Sequence, residues 1–493
     1  MNPRRFPPPS EPPKLRAVPR RRLADRPRAP ETGLPPIERL PRGGPLPASP
    51  YQQWIWEAPG GKPTADLNMP FTLRFSGPPA LPALFAAFRE LERRQDGLRT
   101  RLVAAAGRPG TACQLVDPPG GLEVPLIDLS GLGPKPKERE LGRLATEDAL
   151  QPLDMAKRMF RVRLVRLAAA DHLAFLNLHH LIGDGWSTEL LRGELAVLYA
   201  AFAAGRPSPL AELPVQFADF AGWQRRIEEG EVVARQLEYW RGRLERLPPP
   251  FTLPGEPAVP GRGTVQGFCW FSAPVTARIR ALARAERATP AMVILAAFGL
   301  LLTAYSGETD LVIESKVLGR PRPELAGIIG FFMGTLPHRI DLSGDPGFAD
   351  ALLRTRDVVV EDYCNQDLSF PKLMRELLPG RRNLSPLGFN MISSPTPVSL
   401  AARAREEAVF VSEGRRPDQE IVRYDLVLQG REDPDFLRLI LMGAAARFEP
   451  ESMAEVAADL ETLLIRALDD PAAPVARLLP APRYRFARRP SGG

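Results

Sequence analysis

Cysteine is scarce in this sequence: three among 493 residues, Cys113, Cys269 and Cys364, too widely spaced for a metal-ligand cluster or a disulfide framework. That argues against a bound metal and fits a reducing, cytoplasmic setting. Charge of one sign is lacking as well. Residues 1–45 hold 11 Lys/Arg against 4 Asp/Glu, which equals the whole formal net charge of +7, and the remainder balances at 54 against 54. A nucleic-acid interface needs a basic face with aromatic readers, and the balanced remainder offers none, so nucleic acid is excluded as a partner. No apolar stretch follows the N-terminal arginines, so no secretory signal is expected. One uncharged run, Ala288 to Tyr305, is long enough to raise a membrane span. Thr289 as N-cap, Pro290 at the first helical position and Gly307 at the end mark it instead as a core helix, and no span is expected.

Proline, by contrast, is abundant, and 15 of its 56 occurrences fall in residues 1–50. With Pro7-Pro8-Pro9 and Arg20-Arg21-Arg22, residues 1–45 carry too little apolar surface to order themselves and are expected to form a disordered arm. The chain as a whole is globular in composition, 44% hydrophobic, and long enough for two domains.

Two of the four histidines stand together in Leu176-Asn177-Leu178-His179-His180-Leu181-Ile182-Gly183-Asp184-Gly185-Trp186-Ser187. Upstream, Phe160, Val162 and Leu164 alternate with Arg161 and Arg163, and His172 to Leu178 continues a strand-like pattern after a turn, which predicts a hairpin ending at the histidines. Downstream, Ser187 can cap a helix from Thr188 to about Ala204, halted by Gly205 and Pro207. A strand-to-helix loop offers unpaired backbone N–H groups, and its glycines admit another molecule. His180 there can serve as a base, with N–H groups near Gly185 steadying negative charge on a carbonyl oxygen. The arrangement suits acyl transfer.

The pattern His179-His180-x-x-x-Asp184-Gly185 resembles the signature of the condensation domains of nonribosomal peptide synthetases and, more broadly, of the chloramphenicol-acetyltransferase-like acyltransferases. Other stretches resemble that family's signatures in order. Ser49 to Trp56 matches loosely. Arg93 to Leu102 keeps a Leu98-Arg99-Thr100 centre, with Arg94 in place of a histidine. Val215 to Arg225 matches closely, and Asp219 within it reads as structural. Gly319-Arg320 follows a strand at Asp310 to Lys316, and Ile329 to Arg339 corresponds to a tunnel-lining segment in which Gly334 replaces the usual asparagine. Asn365 to Phe370 and Arg382 to Leu387 complete the series, and Gly183 replaces a common serine.

The resemblance implies an α+β fold of two chloramphenicol-acetyltransferase-like lobes in a V-shaped pseudo-dimer, each a mixed sheet with packed helices. The N-terminal lobe would cover 46–215 and the C-terminal lobe 216–477, before an Arg-rich tail over 478–493; residues 395–421 would bridge the lobes. His180 and Gly185 would be catalytic, supported by His179, Asp184 and Arg320, the last pairing with Asp184. Trp186, Ser187, Gly334 and Thr335 would line the tunnel. No cofactor is expected to bind; the phosphopantetheine arms of acyl or peptidyl carrier proteins would bring thioesters in trans to a small amine or alcohol acceptor. The chain is expected to be a cytoplasmic monomer. Two alternatives stand beside this reading, an acyl-CoA-dependent O-acyltransferase and a non-catalytic recruitment domain of the same fold.

Overall fold

The computed structural model describes residues 34–57, 65–76, 78–249, 251, 263–393, 410–412, 424–433 and 436–480. Residues 1–33 and the tail beyond 480 lie outside the described residues, as do most of 395–421. The fold belongs to the unit Pro35–Gly493.

In the first half, strands β1 (Leu46–Pro47), β3 (Thr100–Ala104) and β4 (Ala112–Val116) form a small sheet in the order β1-β4-β3. Helix α1 (Pro50–Trp56) follows β1, started by a capping box between Ser49 and Gln52. The larger sheet takes β2 (Asn68–Ser76), β5 (Leu126–Asp128), β6 (Phe160–Ala168) and β7 (Asp171–His179), with α2 (Leu81–Arg94) and α3 (Pro134–Leu150) between them in sequence. The predicted hairpin is present, Phe160 opposite Leu178. β7 lies between β2 and β6 and is buried throughout after Asp171, which is why it is apolar on both faces.

The chain then runs through α4 (Gly185–Ala203), α5 (Phe217–Ile227) and α6 (Glu231–Arg243) to the second half. There β8 (Thr264–Phe271), β9 (Asp310–Val317), β10 (Gly334–Asp341), β11 (Leu387–Ser393), β13 (Leu426–Glu432) and β14 (Leu437–Ala444) form one mixed sheet, β10-β9-β11-β13-β14-β8. Helices α7 (Ala273–Ala285), α8 (Pro290–Ser306), α9 (Phe348–Tyr363), α10 (Phe370–Leu377), α11 (Pro450–Asp469) and α12 (Val475–Leu478) accompany it. The uncharged run forms α8, capped by Thr289 and ended by Gly307 at φ +75°, with Val293 to Leu302 buried in the core it shares with α9 and α11. Among the described residues no single helix is long and apolar enough to cross a membrane. Strand β12 (Phe410–Ser412), in the expected bridging stretch, joins the first half's sheet, Phe410 pairing with Phe75.

Of the arm expected over residues 1–45, the part from residue 35 on belongs to the fold. Pro35–Arg42 is docked on α5: Trp223 Nε1 donates to Pro35 O at 2.7 Å, Leu40 N to Asp219 Oδ1 at 2.8 Å, and Arg42 bridges Asp219 and Asp96, each at 2.8 Å. Gly222 permits the approach, since a Cβ there would lie 2.7 Å from Leu40 Cδ1. Periodicity could not reveal a segment held by single anchors. Asp219 is fully buried and structural, as expected, and it also caps α5 at Gln216 N.

Candidate active site

The two adjacent histidines are held in opposite ways. His179 closes β7, its amide bonded to Met159 O at 2.9 Å; its ring is buried, and Nδ1 accepts from Leu181 N at 3.2 Å. Burial first, and His180 second, push its pKa down to about 4, so this ring is neutral filling at a strand end. His180 opens a single 3-10 turn, His180–Ile182, and is half-buried. Its Nδ1 lies 2.9 Å from Gly183 O. A carbonyl can only accept, so in the neutral ring the proton sits on Nδ1 and the lone pair on Nε2. The ring packs edge-on against Phe331, centroids 4.9 Å apart.

Asp184, not Ser187, caps the following helix, which therefore starts at Gly185 and not Thr188. Its Oδ1 accepts Ser187 N at 2.8 Å, because a carboxylate at the positive end of a helix is a stronger acceptor than a hydroxyl. Gly185 is thus the first helical residue, exposed, where N–H groups have no partner within the helix; a Cβ there would meet nothing within 4 Å.

The same carboxylate joins the two halves. Oδ2 accepts Phe332 N at 3.2 Å, and Arg320 Nη2 stands 3.4 Å from Oδ1, both side chains 5% exposed. The expected pair therefore exists, inside a wider network. Arg320 also donates to Leu325 O (2.6 Å) and Ile328 O (2.8 Å), and its guanidinium lies 4.0 Å from the Phe332 ring centroid. Burial lowers its pKa and Asp184 opposes that. Gly319, at φ +61°, makes the turn before it; a Cβ there would stand 1.8 Å from Phe332 O.

Ser187 does not line an open passage. It is fully buried, its Oγ 2.7 Å from Asp184 Oδ1 and 3.0 Å from Gly330 O while accepting Gly330 N at 3.1 Å. Trp186 is half-buried and donates from Nε1 to Ala326 O at 2.9 Å. Gly334 opens β10 opposite Val317, and buried Thr335 accepts from Lys316 Nζ at 2.9 Å. Thr335 connects toward the histidine through Tyr51, whose hydroxyl faces Thr335 without a hydrogen bond of good geometry and whose ring meets Phe331 at 5.5 Å. Burial and the charge of Glu314 raise the Tyr51 pKa, keeping the phenol neutral.

Three contributors were not singled out in the sequence. Tyr51 and Phe331 lie in quoted segments, but only the fold shows that they meet beside His180. Gln95 ties the halves, accepting Ile329 N at 2.9 Å and donating to Gly327 O at 3.0 Å. Arg94 and Arg99 serve structure: Arg94 forms a buried pair with Glu194 at 2.9 Å, and Arg99 meets Asp96 at 2.5 Å.

A family model, Condensation domain, matches residues 44–483. A linear gramicidin synthase polypeptide of Brevibacillus parabrevis is 34% identical over 443 residues, 89% of this chain but 9% of that protein. Phosphinothricin tripeptide synthetase PhsB of Streptomyces viridochromogenes is 33% identical over 473 residues, covering 92% of this chain and 39% of its own length. The chain thus spans well under half of these relatives. Among solved structures, the X-domain in its complex with OxyB from teicoplanin biosynthesis superposes with a TM-score of 0.76 at 25% identity, over 90% of this chain and 98% of that one. The first condensation domain of the calcium-dependent antibiotic synthetase gives 0.70 at 22%, over 88% and 99%, a likeness of fold. With the histidine loop, its buried carboxylate–guanidinium tie and a family match over nearly all of the described fold, the chain belongs to the condensation-domain family.

Proposed function

We propose that this condensation domain is catalytic, joining an acyl thioester carried on a phosphopantetheine arm to an amine, or less readily a hydroxyl, with release of the thiol. The observation that carries the reading is the Nδ1 contact of His180 with Gly183 O, which fixes the tautomer and turns the Nε2 lone pair into the base. The acceptor nitrogen attacks the thioester carbonyl carbon, a C–N bond forms and the C–S bond breaks. Nε2 takes the proton from nitrogen and returns it to the departing sulfur. The N–H at Gly185 supports charge on the carbonyl oxygen. Asp184 is engaged by Ser187, Phe332 and Arg320, so its part is to hold the loop. The donor is a carrier-bound thioester, and a CoA thioester is the competing donor.

Single-turnover transfer from acyl-loaded carriers, read by intact-protein mass spectrometry beside the same acyl group on CoA, tests this. Carrier-dependent product supports it; CoA-dependent ester formation alone replaces it with the O-acyltransferase reading. A second reading, recruitment without catalysis, is favoured by the likeness to an X-domain solved in complex with OxyB. Carrier binding with no transfer to any acceptor would select it.

A further inference from the structure

His180 belongs to the first half of the chain, but the ring it packs against comes from the second. Phe331 is buried in the stretch that leads into β10, and its ring meets the imidazole with centroids 4.9 Å apart and planes at 66°. Three side chains of the first half fix that stretch. Gln95 Oε1 accepts Ile329 N at 2.9 Å, Ser187 Oγ accepts Gly330 N at 3.1 Å, and Asp184 Oδ2 accepts Phe332 N at 3.2 Å. The amides on either side of Phe331 are therefore both bound by residues of the loop and helix start that follow His180. The seating is tight, since a Cβ on Gly97 would lie 2.6 Å from Ile329 O and one on Gly330 would lie 2.3 Å from Phe217 Cδ2. On its other side the Phe331 ring meets Tyr51, with centroids 5.5 Å apart and planes at 71°.

The last side-chain torsion of a histidine is broad, so the single contact of Nδ1 with Gly183 O leaves the imidazole able to rock about it. A second contact, on the flank of the ring, fixes its plane. We infer that Phe331 is a positioning residue, whose ring holds the His180 imidazole against Gly183 O as the Nδ1–H tautomer and so gives Nε2 one direction. The inference rests on the acyl-transfer reading and deepens it. Asp184 and Ser187 thereby gain a second task, because the backbone they bind is the one from which Phe331 reaches back to the histidine. A base acts only when its nitrogen lies within hydrogen-bond reach of the proton it takes, so a loosened ring loses rate while the contacts that bind substrate stay in place.

The test uses the full chain carrying isotope-labelled histidine, as wild type, Phe331→Leu and Phe331→Ala, with His180→Gln to identify the His180 signals among the four histidines. At a pH where the imidazole is neutral, a ring held as one tautomer gives two widely separated nitrogen resonances, and a mixture of tautomers draws them together. Wild type should show the separated pair, Phe331→Leu a narrowed one and Phe331→Ala the narrowest. Transfer from a butyryl-loaded carrier to glycinamide, normalised to folded protein, should lose about 10- to 100-fold in kcat on Phe331→Ala and less on Phe331→Leu, while KM for glycinamide stays near wild type. Phe331→Leu keeps most of the apolar volume and carries the test if Phe331→Ala does not fold. Resonances that stay separated in the folded variants overturn the inference, as does a kcat that stays at the wild-type value or a loss that falls on KM instead. Wild type that transfers to no acceptor overturns the acyl-transfer reading, and the resonances then still decide whether Phe331 sets the tautomer.

Discussion

Among the described residues two histidines touch acceptors at hydrogen-bonding distance, and the one whose contacts look more catalytic is not the one we propose as the base. His338 Nδ1 meets Asp362 Oδ2 at 2.6 Å, and Asp362 Oδ1 accepts the Tyr239 hydroxyl at 2.7 Å. That arrangement resembles a base with its orienting carboxylate. Yet His338 is 1% exposed and Asp362 fully buried, between β10, α6 and α9. His180 has a backbone carbonyl on Nδ1 and stands half-buried on a loop beside an exposed helix start. Orientation by a carboxylate serves packing as readily as catalysis; what separates the two rings is burial, complete at His338 and partial at His180.

The sharpest way to break that contrast is to remove each ring and read activity and stability together. His180→Ala should lower transfer to a hydroxyl acceptor by about 10²- to 10⁴-fold, the usual worth of general-base help, with little change in melting temperature. An amine with a pKa of roughly 7.7 to 8.0 is partly free base at neutral pH, so transfer to it should fall less and recover as pH rises. Single-turnover rates across pH decide this; unchanged rates with every productive acceptor would remove His180 from the mechanism.

His338→Ala should do the reverse. Emptying a fully buried ring site and taking one hydrogen bond from Asp362, which keeps the Tyr239 hydroxyl and Arg243 Nε at 3.8 Å, should cost about 3–5 kcal/mol of stability, while transfer per folded molecule stays near wild type. Denaturant titration paired with activity normalised to folded protein checks it. A stable variant that has lost activity would make His338 the functional ring and invert the comparison.

The sequence disclosed this contrast only in part. The strand-to-helix setting of His180 was legible because hairpin alternation and helix-stop residues are local, and the family resemblance located Asp184 and Arg320 although 136 residues separate them. His338 could be assigned to a strand, but Asp362 could not be named as its partner, since that contact depends on how α9 packs on β10. Ser187 was misplaced for a similar reason: Asp184 and Ser187 are both good capping residues, and only the geometry shows the carboxylate at the cap and the hydroxyl turned to Gly330.

The docked segment 35–45 extends the comparison to a charge buried for structure alone. Removing residues 1–34 leaves the contacts of Pro35, Leu40 and Arg42 in place and is the reference for the comparison. Removing residues 1–45 should cost about 3–5 kcal/mol, because Arg42 leaves with the segment and fully buried Asp219 loses its charged partner. Denaturant midpoints of the two truncations measure the difference; equal midpoints would mean the Arg42 contacts contribute nothing in solution.

The smallest expected effect tests the neighbour of the proposed base. His179 has an ordinary pKa of 6.5 when unfolded and one pushed down to about 4 when folded, chiefly by burial. The unfolded chain therefore binds a proton that the folded chain refuses until the pH is much lower. Stability linked to this ring is fully present above pH 6.5 and is lost as pH falls toward 4, by about 3 kcal/mol at most. His179→Asn keeps an acceptor near Leu181 N but cannot titrate. Its unfolding free energy should approach that of wild type as pH drops from 7 to 4, whatever packing it loses at pH 7. Subtracting the two curves removes every other ionisable group they share. A constant gap across that range would mean that the folded ring takes up its proton at the same pH as the unfolded one, and burial would then not be what keeps His179 neutral behind His180.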